Sequence, residues 1–193
     1  MEDDYTELVV LCEDKQQEVF VRRFLTQSGV KRRRIRIRSY LAGAGSGEQW
    51  VRTQYPLEVR EHRARSQRLH IGLLVMQDVD TATVEEAYKE LGKALSAVRL
   101  PPRTEHERIA LFFPRRNIET WLRFLTAGPL ADESVRYPKL HREESRCHSA
   151  ADRLAAKHEY RLTREVPASL RAACPEIRRL FPAKQCVEVP NQP

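Results

Sequence analysis

Asp78 and Asp80 are spaced by one residue and follow directly on the most apolar stretch of the chain, residues 69–76. Side chains of an extended backbone repeat every two residues, so the two carboxylates would point the same way. A second acidic pair, Glu13-Asp14, follows the apolar run at residues 8–11. Glu119 comes shortly after a third apolar run, residues 109–113, by way of Pro114-Arg115-Arg116-Asn117. Glu13, Asp78 and Asp80 brought together would form an all-oxygen site, which suits Mg²⁺ or Mn²⁺ rather than zinc. Simpler roles compete. Asp80 could cap the helix that begins near Thr83, and Glu119 at a helix start is favoured by the helix dipole.

Other chemistries find little support. Cys12, Cys147, Cys174 and Cys186 are scattered and form no Cys-x-x-Cys pair, which argues against a disulfide framework and for a reducing, cytoplasmic compartment. His141, Cys147, His148 and His158 match no common zinc spacing. Residues 42–47 hold three of the seven glycines but lack the Gly-Lys-Ser/Thr ending of a phosphate-binding loop, so they read as a connector.

The elements that would position these residues follow from periodicity. Residues 8–11, 69–76 and 109–113 read as buried strands. Ile35 and Ile37 alternate with Arg34, Arg36 and Arg38, giving a strand with one apolar and one cationic face. Spacings of three and four predict helices over 15–27, 84–98 and from Ile118, and a polar helix over 48–66 interrupted at Pro56. Alternating strands and helices imply an α/β fold with a mostly parallel central sheet flanked by helices, Rossmann-like in layout. Parallel strands place their carboxyl ends at one edge, where such folds keep their sites. Beyond Gly128 lie seven of the eleven prolines, with two modest helices expected over 144–158 and 166–180. The expected division is an α/β domain over 1–127 and a helical extension over 128–193 packed on it.

The chain of 193 residues carries 34 basic against 27 acidic residues, a net charge of +7. No acidic residue lies between Glu18 and Glu48, where eight Lys and Arg residues fall. Such a one-sign patch favours a phosphate-rich partner, DNA or RNA. The cationic face of Arg34, Arg36 and Arg38 could track a nucleic-acid backbone, or could protect an edge strand from pairing. No apolar run is long enough to span a bilayer, and the acidic start is followed by no leader-like apolar segment, so no membrane association is expected.

Leu-Val-Val-Leu-Cys-Glu (8–13) followed by a helix, and then Leu-Leu-Val-Met-Gln-Asp-Val-Asp (73–80), resembles the Toprim fold shared by topoisomerases, primases and OLD-family nucleases. Pro114 to Trp121 also resembles a segment of small stand-alone Toprim-like proteins, some of which accompany ATPases in anti-phage defence. The resemblance covers roughly residues 7–126. It departs where many relatives carry Gly after the glutamate and an acidic residue four positions after it; here Asp14 and Gln17 stand there, with Glu18 one residue later.

The resemblance implies Mg²⁺- or Mn²⁺-dependent phosphodiester cleavage of DNA or RNA, a nuclease or nuclease subunit. Asp78 and Asp80 would hold the metal, and Glu13 would share it or handle the proton. Lys15 would stabilise phosphate charge, and Glu18 and Glu119 are secondary candidates. An ATPase partner or a homo-oligomer is compatible with it. Two alternatives stay open: a non-catalytic Toprim-like binding or regulatory subunit, and a basic nucleic-acid-binding module whose acidic pair is incidental.

Overall fold

A computed structural model describes residues 5–40, 46–128, 131–139, 144–156 and 166–182. Most of the glycine-rich connector, together with His141, His158 and Cys186, lies outside the described residues.

The apolar runs form parallel strands: β1 (Glu7–Cys12), β3 (Ile71–Met76) and β4 (Ile109–Phe112), with the Ile/Arg alternation forming β2 (Ile35–Ser39). The sheet order is β2-β1-β3-β4, and every pairing is parallel. The α/β, parallel-sheet expectation is therefore met. β3 lies between two strands and is buried on both faces, which is why its sequence is a near-continuous apolar run.

Register aligns the side chains in rows. Ile37, Val10, Leu74 and Ala110 form a row on one face. Arg38, Leu11, Val75 and Leu111 form a row on the other. The first face is covered through α1 (Lys15–Gln27) and α4 (Ile118–Ala127), and the cluster extends to α5 (Glu144–Ala156) and α6 (Ala168–Leu180). The second is covered by α2 (Gly47–Ser66) and α3 (Val84–Ala97). Residues after Gly128 thus share a core with the sheet: Leu154, Leu170 and Ile177 belong to the same cluster as Val10 and Leu74.

Local signals explain the helix starts. Asp14 caps α1 by accepting from the backbone N–H groups of Gln16 and Gln17. Thr83 and Glu86 close a capping box at the start of α3. One expectation is corrected: α2 runs unbroken through Pro56. An interior proline costs about 3 kcal/mol. Here Pro56 is buried, and Val51, Tyr55 and Val59 of the same helix pack in one cluster with Leu11, Leu73 and Val75 of the sheet, which offsets that cost. No helix among the described residues is long and apolar enough to cross a membrane.

Candidate functional site

β1 and β3 are adjacent and in register, with Cys12 opposite Met76. The residues after them, Glu13 and Asp78, therefore emerge side by side at the carboxyl edge. Asp14 must sit beside them because it caps α1. α4 starts at the same edge and brings Glu119, which is 3% exposed.

Gln17 binds this group together. It is wholly buried on the first turn of α1. Its Nε2 donates to Asp78 Oδ1 at 2.9 Å, and its Oε1 accepts from the Glu13 backbone N–H at 3.0 Å. A neutral amide thus stands where the resemblance leads one to expect a further acid. Lys139, from the segment before α5, supplies the cation: its Nζ donates to Asp14 Oδ2 at 2.7 Å. The Asn117 side chain fastens that segment by donating to the Tyr137 carbonyl at 2.7 Å, and Arg123 lies over the Tyr137 ring.

The electrostatics are those of crowded carboxylates. Burial pushes Glu13 up to about 9, with Asp78, Asp14 and Glu48 adding repulsion and the Asp78 backbone amide acting the other way. Burial likewise pushes Asp78 up to about 8; Asp14 and Glu119 add to the rise, while Gln17 and Lys139 oppose it. Lys139 is held above its ordinary value by its bond to Asp14, with Asp78 and Glu119 contributing. The neighbouring Cys12 thiol is pushed up to about 12, chiefly by burial, and so is no nucleophile.

Glu13 is wedged in place by α2. A Cβ at Gly47 would stand 2.9 Å from the Glu13 Cβ, so only glycine allows this approach. Glu13 Oε1 is buried with no hydrogen-bond partner among the described residues. A hard divalent cation would give that oxygen a partner and would relieve the repulsion with Asp78, so the pair fits such an ion. Among the described residues, no three His, Cys, Asp or Glu side chains form a ready metal cage.

The other sequence candidates lie elsewhere. Asp80 is 62% exposed at its side chain and pairs with Arg136 at 3.4 Å. Val79 bridges to Arg115 and the chain then bends at Asp80, so the two carboxylates do not keep the common direction of a continuous strand and Asp80 faces solvent. Lys15 points outward and pairs with Glu18 at 3.1 Å, as does Arg22. Burial works against Glu18's charge, but Lys15 and Arg22 hold its carboxyl below the ordinary range.

Arg34, Arg36 and Arg38 are all exposed. Yet Arg36 pairs with Glu7 at 2.6 Å and Arg38 with Glu58 at 3.4 Å. Lys139 and the tethering role of Gln17 escape sequence reading. Lys139 has no periodic or motif signal in its proline-containing segment, and a glutamine four residues after a glutamate reads as ordinary helix surface.

The chain matches no protein-family model, no curated protein and no solved structure.

Proposed function

We propose that this protein is a Toprim-like, divalent-metal-dependent enzyme that cleaves phosphodiester bonds in nucleic acid, with Glu13 and Asp78 as its principal metal-holding carboxylates. The observation that carries the reading is the pairing of these two carboxylates at the carboxyl edge, with one buried Glu13 oxygen lacking a hydrogen-bond partner among the described residues. Glu119 is the third carboxylate favoured by position, ahead of Asp80. When bound, Mg²⁺ or Mn²⁺ would polarise the phosphoryl group and make a coordinated water more acidic.

The chain's own residues prepare the site. Gln17 fixes the Asp78 carboxylate and keeps a neutral group between two acids. Asp14 spends one oxygen on the α1 N-terminus and the other on Lys139, which aims that ammonium across the site. Lys139 can then meet charge developing on a phosphate, the task first considered for Lys15. The setting proposed with this activity is the one the resemblance implies: anti-phage defence, beside an ATPase partner.

The test is cleavage of plasmid DNA and of a tRNA pool with Mg²⁺, with Mn²⁺ and with EDTA. Glu13→Gln and Asp78→Asn should each lose at least about 100-fold in rate, whereas Asp80→Asn should stay within a few-fold of wild type. Full metal-dependent activity in Glu13→Gln and Asp78→Asn, or no cleavage of either substrate by wild type, would refute the reading.

A further inference from the structure

Two cationic regions among the described residues differ in a way the sequence conceals. The β2 arginines border a groove against α2 whose charged lining is balanced: Arg36, Arg38 and Arg65 face Glu7, Glu58 and Glu61. Glu7 alone takes both Arg36 and Arg65. A polyanion approaching that groove would have to displace carboxylates that already hold these cations.

On the opposite face of the sheet a second groove runs along α1. Lys15, Glu18, Arg22 and Arg23 line it from the helix, with Arg32 from the turn before β2 and His148 from α5. The α1 positions recur at three- and four-residue spacing, so they form a single stripe. Here two carboxylates answer four cations. Glu18 is shared between Lys15 and Arg22, and Asp152 takes Arg23 through paired bonds of 2.6 and 2.8 Å. Arg32 is exposed.

The stripe runs from Lys15 to Thr26, about 16 Å of helix. One strand of a duplex carries a phosphate roughly every 3.4 Å along its axis. The groove therefore spans several phosphates. Its Lys15 end lies two residues from Glu13, at the carboxyl edge of the sheet.

We infer that the α1/α5 groove, rather than the cationic face of β2, is the track along which the phosphate backbone of a nucleic-acid strand reaches the Glu13/Asp78 site. This rests on the nuclease reading for where the strand leads, but binding along the groove is separable from cleavage. Surface charge of this kind binds without sequence preference and weakens with salt.

The experiment is fluorescence anisotropy of a labelled DNA and a labelled RNA oligonucleotide in EDTA, over a series of salt concentrations. Arg32→Ser should lower the slope of log K against log[salt] by about 0.7–0.9, and Lys15→Ser/Arg32→Ser by roughly twice that. Arg36→Ser/Arg38→Ser should leave the slope unchanged. The inference falls if the slope follows Arg36 and Arg38 instead. It also falls if wild type binds neither oligonucleotide in a salt-dependent way, in which case the surplus charge serves an acidic protein. Since EDTA silences cleavage, a groove that binds as stated in a protein that never cleaves would sink only the nuclease reading. Cleavage by a protein whose groove variants bind like wild type would sink only the groove.

Discussion

At the residue scale the consequential feature is that Glu13 and Asp78 are both pushed far above ordinary carboxylate values, to about 9 and about 8. Their unfolded-state values lie near 4.5 and 3.8. A group whose value is raised on folding favours the fold fully below its unfolded value, and loses that contribution as pH rises through the folded value. Between about pH 5 and pH 9 the metal-free protein should therefore lose stability progressively. Glu13→Gln and Asp78→Asn keep shape and remove the charge. In EDTA at pH 8 each should melt higher than wild type, with ~2–4 °C expected per kcal/mol gained. Near pH 4 the difference should vanish, because wild type is then protonated too. Variants that melt lower than wild type in EDTA at pH 8 would mark these carboxylates as structural caps or ion pairs.

At the element scale the sheet has two open edges, closed by different means. Along β4 the closure is covalently remote but direct. The Leu111 backbone N–H donates to Glu176 Oε2 at 2.8 Å, and Arg103 Nη1 donates to the Ile109 carbonyl at 2.6 Å. Arg103 and Glu176 also pair with each other, both largely buried. α6 thereby occupies the hydrogen-bonding groups that another strand would use. Arg103→Met should cost about 1–3 kcal/mol, because it leaves the buried Glu176 carboxylate poorly compensated, with only Arg179 at 3.4 Å and the Leu111 N–H still facing it. Denaturant melts should show Arg103→Met/Glu176→Gln recovering part of the loss, since the uncompensated charge is gone; an equal or larger loss in the double variant would contradict this account. Along β2 the edge carries Arg34, Arg36 and Arg38, and the ion pairs of the last two make them guards of the edge more than ligands. Their alternation is plain in the sequence. Their neutralisation is not, because Glu7 and Glu58 reach them only through the β1 register and the docking of α2.

At the scale of the whole molecule, the sequence makes the layers readable because buried strands and amphipathic helices leave different periodicities. The parallel sheet, the start of α3 at Thr83 and the placement of Glu13 and Asp78 at one edge all follow from that. What does not follow are properties of contact between distant segments. Pro56 stays helical because its helix is packed on a sheet. Asp80 faces solvent because the chain bends there, directly after the Val79–Arg115 bridge. Lys139 reaches Asp14 across 125 residues of chain. The central claim is that Glu13 and Asp78 together bind one divalent cation, and titration with Mn²⁺ followed by electron paramagnetic resonance tests it most directly. Wild type and Asp80→Asn should each take up one Mn²⁺ per chain with similar affinity, and Glu13→Gln and Asp78→Asn should lose that binding. Mn²⁺ uptake that persists in both of those variants, or that is lost only with Asp80, would contradict the account.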